Sequence, residues 1–289
     1  MPAISLVVCL YHEGDLLKRM LERGAGCFDD VVVVHDGPDT TNVQAIAEAG
    51  GARFFERPRA YQQEPHWAFA WGAAKHDWIL RLDADEFPGP ELKDWLIKFR
   101  AAPEPAADIS GYTCIWPLWD GTRQVTSHWP DNRRFLFNRQ RVRFFGMVEQ
   151  VPVADGRWEP LMLVLEHQPK RISYGFSYVF GRSHAANWRR VIAESLLHDS
   201  PIQLPHWRWD NLPWPGTWQQ IREHPIRTSL ERLFVSFPYA LKSQWDKEGK
   251  LFPSAVLTPM LMHVLICFKF MKLRRQQQRA RAKEGGPKN

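Results

Sequence analysis

Three acidic side chains follow apolar runs that are typical of buried strands. Asp83 and Asp85 come directly after Trp78–Leu82, and Asp36 comes two residues after Val31–Val34. Because parallel strands bind ligands outside their carboxyl ends, we expect the three carboxylates at one edge of a sheet. Two carboxylates roughly 5 Å apart repel by about 3 kcal/mol at an effective dielectric near 20. A divalent cation removes that repulsion, and hard oxygen ligands favour Mg²⁺ or Mn²⁺.

An alternative interpretation of the triplet Asp83-Ala84-Asp85 is a helix entry, since acidic residues favour helix N-termini. The uninterrupted apolar strand before the triplet favours the metal site instead. We therefore predict that the two aspartates hold a divalent metal.

The elements around these residues alternate between strand and helix, which predicts an α/β fold with a parallel sheet. The first hundred residues alternate the strands Ile4–Leu10, Val31–Val34, Arg53–Glu56 and Trp78–Leu82 with the helices Glu13–Arg23, Val43–Ala49 and His66–Lys75. Residues 111–166 contain shorter strands joined by polar turns, and helical patterns follow residue 173. The second half is therefore expected to be more mixed than the first.

The charge of the chain is concentrated at one end. The net charge is +6, but residues 269–289 carry eight basic side chains and one acidic one, a local +7, so the rest is slightly acidic. This distribution argues against nucleic-acid binding by the body of the protein. Beside the apolar segment Val256–Leu273, the basic tail favours a helix lying on an anionic membrane surface. The alternatives are a core helix with a solvated tail and, less favoured, a helix that spans the membrane.

Cysteine usage and the N-terminal residues indicate the compartment. The four cysteines form no Cys-x-x-Cys pair, which is typical of a reduced cytosolic protein without structural zinc. The first strand begins at Ile4 without a basic region or cleavage site before it. We therefore expect a cytoplasmic protein that is peripheral on the inner face of the plasma membrane.

Three segments together resemble family 2 glycosyltransferases with the GT-A fold. They are Ile4–Tyr11, the run V-V-V-H-D-G-P-D-T, and the run W-I-L-R-L-D-A-D-E. Two later segments, Phe144–Gln150 and Leu165–Gln168, resemble bacterial enzymes that build lipopolysaccharide core and related surface glycans. The resemblance implies a Rossmann-like, mostly parallel sheet flanked by helices, to which the patterning adds a C-terminal helical, membrane-associating extension.

The resemblance implies a donor site on the first half of the chain. Tyr11 and Asp36 are similar to contacts with the nucleotide base and ribose, and Glu13 is placed to line the same pocket. Gln63, in a segment that also contains Gln62 and His66, lies where the family has a polar or basic donor contact.

The metal and the catalytic base come from both halves. By resemblance, Asp83 and Asp85 are the D-x-D pair that meets the metal and the diphosphate, and His167 is a further metal ligand. We predict Glu149 as the catalytic base, because the apolar stretch before it would raise its pKa by desolvation. A surface acid in a turn is the alternative interpretation of Glu149, and Asp155 is the rival base, although Asp-Gly is first a turn signal.

Together these features predict a metal-dependent glycosyltransferase, and the resemblance implies inversion and a role in bacterial surface-polysaccharide or lipopolysaccharide synthesis. Its partners would be a nucleotide-sugar donor, a glycan or lipid-linked acceptor and an anionic membrane surface. We expect a catalytic domain over residues 1–200, with a nucleotide-sugar half (1–100) and an acceptor half (101–170), and a Trp-rich, basic extension over 201–289. The other functions considered are a sugar-1-phosphate nucleotidyltransferase and a non-catalytic membrane-bound scaffold on the same fold.

Overall fold

The chain forms two compact units. The computed structural model describes residues 1–144, 152–170, 175–181, 184–198 and 216–284. The first unit contains Met1–Ile172, and the second contains most of the later residues. The domain boundaries expected at residues 100, 170 and 200 stay predictions.

A large sheet forms the first unit. Its described strands are β1 (Ile4–Leu10), β2 (Asp30–Asp36), β3 (Arg53–Arg57), β4 (Trp78–Leu82), β5 (Glu86–Pro88), β6 (Ile109–Ile115), β7 (Asp131–Asn138), β8 (Val142–Arg143), β9 (Val153–Ala154) and β10 (Arg157–His167). Eight of them pair in the order β3-β2-β1-β4-β7-β6-β10-β5, and β8 and β9 pair separately. Strands β1 to β4 run parallel, as do β6 and β10, whereas β7 and β5 lie antiparallel to their neighbours.

Helices flank this sheet, so the expected α/β class with a mostly parallel sheet is confirmed. They are α1 (Gly14–Arg23), α2 (Val43–Ala49), α3 (Glu64–Ala73) and α4 (Pro90–Ala101). Successive side chains of a strand point to opposite faces. Accordingly, Leu6 and Val8 of β1 pack with α1, α2 and α4 on one face, and Val7 and Cys9 pack with α3 on the other. All four cysteines of the chain are free and buried.

Strand β5 was not predicted from the sequence. Glu86–Pro88 pairs antiparallel with the end of β10, with Glu86 opposite His167. A strand of three residues that ends in proline has no periodic pattern of its own, and it forms only because β10 offers a partner. This ladder fixes the segment that follows the acidic triplet.

The second unit is helical in its described part. Its helices are α5 (Phe176–Phe180), α6 (His184–His198), α7 (Gly216–Glu223), α8 (Pro225–Glu231), α9 (Phe237–Glu248) and α10 (Pro253–Glu284), with a π-helical turn over Arg232–Ser236. Val179, Ala185 and Met262 form a small shared core. By length and composition, α10 is the one described helix apolar enough to cross a membrane, with a mean hydropathy of 1.6 over its most apolar window. About two-fifths of that window (39%) is buried against other helices, so the helix also has a packing role.

Candidate active site

Strands β1, β2 and β4 are neighbours and parallel, so their carboxyl ends meet at one edge of the sheet. Tyr11 and Glu13 follow β1, Asp36 ends β2, and the triplet with Asp83 and Asp85 follows β4. The structure therefore places these five sequence-predicted residues at a single edge.

The acidic triplet forms a turn held by hydrogen bonds on both sides. The amide of Asp83 donates to the Glu86 carboxylate at 2.9 Å, and the amide of Glu86 donates to the Asp83 carbonyl at 2.9 Å. The amide of Gln168, just after β10, donates to the Asp85 carbonyl at 2.8 Å. The two aspartates are thus held by β4 on one side and by β10 on the other.

Arg133 of β7 lies between two carboxylates behind this turn. Its Nη2 is 2.9 Å from the Asp83 carboxylate and 2.8 Å from that of Glu86, whose side chain is fully buried. Burial opposes the charge of Arg133, but Asp83 and Glu86 outweigh it and raise the pKa of the guanidinium. Burial would likewise raise the pKa of Asp83, but Arg133 and Arg81 hold that pKa below its ordinary value. Asp83 is therefore ionised at neutral pH.

A second arginine, Arg81 of β4, is buried beneath the triplet with 1% of its surface exposed. Its guanidinium lies 4.2 Å from the ring centre of Trp67, and its Nη2 donates to the Arg134 carbonyl at 3.2 Å. Burial, followed by repulsion from Arg133, lowers the pKa of Arg81 to about 10. Arg81 therefore stays cationic at neutral pH and adds positive charge under the acidic turn.

The residues at this edge fit the divalent metal that the family resemblance implies. Oδ1 of Asp83 is buried without a hydrogen-bond partner among the described residues. Burial, and then the negative charges of Asp85 and Asp83, raise the pKa of Glu13 to about 7. Both features indicate an excess of negative charge that a cation would balance. No three His, Cys, Asp or Glu side chains in the described ranges form a complete metal site, so phosphate oxygens and water would supply the remaining ligands.

His167 lies beside the triplet, as its predicted role requires. The β5–β10 ladder brings its Nε2 to 3.5 Å from the Asp85 carboxylate. The imidazole also stacks on Trp116, with ring centres 4.1 Å apart. The stacking fixes the plane of the ring, so His167 is positioned whether or not a metal is bound.

Asp36 is enclosed by protein partners, whereas a residue that contacts a nucleotide would be expected to face the open site. Its side chain is buried, accepts a hydrogen bond from Nε2 of His66 at 2.9 Å and from the amide of Ala60, and forms an ion pair with Arg59. The Arg59 guanidinium also donates to the Asp36 carbonyl at 2.9 Å. The described contacts of Asp36 thus fix the loop after β3, and its contact with a nucleotide stays a prediction.

Arg59 lies flat against Tyr11 at the mouth of the site. The guanidinium carbon is 3.4 Å from the ring centre of Tyr11, which is 41% exposed. His12 stacks on the same ring with centres 3.7 Å apart and has a left-handed φ of 57°. Arg59 and His12 therefore cover the two faces of the Tyr11 ring, and the exposed part of this planar cluster is suited to contact with a nucleotide base.

His35 supports this stack from below. Its Nδ1 is 2.7 Å from the Gly37 carbonyl, so Nδ1 carries the proton, and its Nε2 accepts a hydrogen bond from the His12 amide at 3.3 Å. Gly37 has a φ of 102°, and a Cβ there would lie 3.1 Å from the Arg59 side chain. A glycine is therefore required where Arg59 crosses the end of β2.

Gln63 is the N-cap residue just before helix α3, and after Arg133, Arg81 and His167 its side chain also helps to keep the pKa of Asp83 low. Its neighbour Gln62 is buried, and its Nε2 has no hydrogen-bond partner in the described part of the chain. The structure therefore brings Gln63 to the triplet, and its donor contact stays a prediction.

The structure describes only one of the two carboxylates predicted as candidate bases. Glu149 lies outside the described residues, so its role stays a prediction. Asp155 is about half exposed and forms an ion pair with Arg143 at 2.9 Å, next to the β8–β9 ladder. An exposed, paired carboxylate in a turn matches the alternative interpretation of Asp155 better than that of a catalytic base.

The family assignment rests on comparison with known sequences. The profile of the family described as "Glycosyl transferase family 2" matches residues 5–157, more than half of the chain. The chain belongs to glycosyl transferase family 2. The matched stretch includes strands β1 to β9 and every described residue of the acidic edge except His167.

Named relatives of this family 2 member have no stated substrate. An uncharacterized glycosyltransferase of Rickettsia felis is 34% identical over 95 residues, which are 32% of this chain and 32% of the relative. Another, from Rickettsia bellii, is 34% identical over 92 residues, which are 32% of this chain and 30% of the relative. The matches thus span roughly a third of the length of these curated relatives.

Solved structures show a weaker likeness. The mannosyl-3-phosphoglycerate synthase of Rubrobacter xylanophilus has a TM-score of 0.46 and 15% identity, over 73% of this chain and 79% of that one. TarS of S. aureus has a TM-score of 0.42 and 13% identity, over 94% of this chain and 55% of that one. At such low sequence identities and TM-scores, neither the substrate nor the mechanism of these two proteins can be assigned to this family 2 member.

Sequence reasoning missed two charged side chains of the site in this family 2 member, namely Arg81 and Arg133. The charge of Arg81 inside an otherwise apolar strand was an available signal, because a buried charge needs a compensating partner. Arg133 had no such signal, since it reaches Asp83 and Glu86 only through the pairing of β7 with β4 and β6.

Proposed function

We propose that the chain transfers a sugar from a nucleotide-sugar donor to a hydroxyl of a glycan or lipid-linked acceptor. The observation that carries this proposal is the gathering of Asp83, Asp85 and Glu13 at one sheet edge, where burial and mutual repulsion raise the pKa of Glu13 to about 7. Such an edge suits a cation with a diphosphate, which is the common part of nucleotide-sugar donors.

In this proposal Asp83 and Asp85 hold Mn²⁺ or Mg²⁺, with His167 as a further ligand. The bound metal would act as a Lewis acid toward the leaving diphosphate. Arg133 and Gln63 keep the Asp83 carboxylate ionised and oriented. Tyr11 contacts the nucleotide base with the exposed part of its ring, and Asp36 holds Arg59 against one face of that ring.

Transfer proceeds by direct displacement with inversion. The bond between the anomeric carbon and the diphosphate oxygen breaks, and its electron pair leaves with the nucleoside diphosphate. The acceptor oxygen forms the new bond to the anomeric carbon, and its proton passes to Glu149, the base proposed from the sequence. Charge develops on the sugar ring as in glycoside hydrolysis.

The proposed setting is bacterial surface-polysaccharide or lipopolysaccharide synthesis on the cytoplasmic face of the plasma membrane. The segments Phe144–Gln150 and Leu165–Gln168 support the role in surface-glycan synthesis by resemblance. The apolar helix α10 and its basic end support the membrane location, since an apolar helix can enter the membrane interface and basic side chains attract anionic lipids.

The test is a screen of nucleotide sugars with Mn²⁺ that measures release of nucleoside diphosphate. We expect one donor to be hydrolysed slowly without acceptor. Release of pyrophosphate from a nucleoside triphosphate and a sugar phosphate would instead identify a nucleotidyltransferase. Nucleotide binding without turnover of any donor would identify a scaffold.

We expect Tyr11→Ala to weaken nucleotide binding, because it removes an aromatic contact with the base together with the support of Arg59 and His12, a loss of about 1.4 kcal/mol or more, roughly tenfold in Kd. Calorimetric titration of the nucleoside diphosphate with Mn²⁺ measures the change. Tyr11→Phe is the matched control, since it keeps the ring and should bind within about twofold of the native chain. Equal Kd values for both variants would remove Tyr11 from the proposed site.

A further inference from the structure

An apolar groove opens on the surface of the second unit between helices α8 and α10. It has a volume of about 720 Å³, within the range of small-molecule sites. Its walls are Ile226, Leu230 and Leu233 on one side, and Val264, Phe268 and Met271 on the other. These six side chains provide an elongated surface without a charged group.

Three of the six wall side chains are exposed, and the other three are half-buried. Ile226 is 64% exposed, Leu230 52% and Phe268 60%. Phe234 and Val235, in the π-helical turn after α8, are 73% and 64% exposed. Contiguous exposed apolar surface of this kind marks an interaction site in a folded protein.

One end of the groove is basic. Lys272, Arg275 and Arg279 also line it, all three are exposed, and no described carboxylate forms an ion pair with them. They lie on one face of α10, because steps of three and four residues return to the same side of a helix. The groove thus combines apolar walls with three positive charges at its end.

We propose that this groove binds one acyl chain of an anionic phospholipid, with the phosphate of that lipid against Lys272, Arg275 and Arg279. The apolar walls exclude water from the chain, and the basic end selects a negative headgroup. The groove therefore recognises an individual lipid, whereas a basic tail alone recognises only the average charge of a surface. The inference rests on the membrane-surface part of the proposed function.

The probe is monomeric dioctanoyl phosphatidylglycerol, titrated by calorimetry into the full chain. We expect saturable binding at one site, and Leu230→Glu should weaken it by about tenfold or more, because a carboxylate would face the acyl chain and the phosphate. Met162→Glu is the matched control, since Met162 is 68% exposed on β10 of the first unit. It should change neither binding nor folding, as monitored by circular dichroism.

A second pair of variants tests the basic end. Arg275→Gln with Arg279→Gln removes two charges from the groove side of α10 and should weaken binding several-fold, about threefold or more. Arg274→Gln with Arg281→Gln removes two charges from another side of the same helix and should leave the affinity within about twofold. Equal losses in both double variants would overturn the assignment of the phosphate to this end.

Three further outcomes would overturn the inference. Equal binding of glycerol phosphate would indicate a site for a free phosphate, and unchanged binding by Leu230→Glu would place the lipid elsewhere. A dimer in light scattering that Leu230→Glu dissociates would mean that a second copy of the chain occupies the groove. Sedimentation with phosphatidylglycerol vesicles separates the two proposals: if the native chain binds the short lipid but no vesicle, the membrane-surface function fails and the groove stands.

Discussion

Asp85→Ala is expected to lower sugar transfer by about 10³-fold, a loss of about 4 kcal/mol of transition-state stabilisation. Asp85 supplies a carboxylate to the proposed metal, and its side chain lies 3.5 Å from the His167 imidazole. In the described part of the chain, Asp85 forms no ion pair with an arginine or a lysine. The first unit should therefore still fold without its carboxylate. Thermal unfolding with UDP and Mn²⁺ measures nucleotide binding separately from activity, and we expect the stabilising shift to disappear.

Asp155→Ala is the matched control for this prediction. It removes an aspartate that is about half exposed and paired only with exposed Arg143 among the described residues. The UDP and Mn²⁺ shift should persist in this variant. If activity is lost while the shift persists, Asp155 replaces Glu149 as the proposed base. An unchanged shift in Asp85→Ala would refute the metal site.

Arg133→Met should destabilise the first unit by about 3–5 kcal/mol, because it leaves the fully buried carboxylate of Glu86 without its countercharge. Asp83 would lose the same partner, so nucleotide binding should fall as well. Urea unfolding monitored by tryptophan fluorescence measures the free energy of unfolding.

Two comparisons make this result specific. Arg133→Met with Glu86→Leu removes the fully buried carboxylate together with its countercharge, and although Asp83 still lacks Arg133, we expect it to regain about 2 kcal/mol or more. Arg123→Met breaks an exposed ion pair with Asp120 at 3.6 Å and should cost only about 0–1 kcal/mol. A loss below about 1 kcal/mol for Arg133→Met would show that Glu86 becomes protonated or hydrated at little cost.

The acidic edge of the sheet was predictable because its signals are local. The apolar runs of β1, β2 and β4 each end in residues suited to polar chemistry, and parallel strands necessarily bring those ends together. Asp36, Asp83 and Asp85 could therefore be grouped on sequence pattern alone, whereas Tyr11 and Glu13 came from the family resemblance. Their individual contacts could not be predicted, because the hydrogen-bond partners of Asp36 lie in the loop after β3 and in α3.

The part of the site that depends on distant pairing was not predictable. Glu86 meets His167 through a three-residue ladder between segments about eighty residues apart in the chain, and neither segment encodes the other. The positions of the tryptophans also depend on distant packing. Trp67, Trp71 and Trp78 are buried on the two faces of the sheet, where they fill the core.

The short ladder of β5 on β10 also limits how this protein can be recombined with its relatives. A crossover placed between residues 100 and 157 would keep the D-x-D turn from one parent and take its opposing strand, with His167 and the amide of Gln168, from the other. The segments on the two sides of this ladder are consequently not interchangeable between relatives. Chimeras that respect this architecture must inherit both sides of the ladder from the same parent.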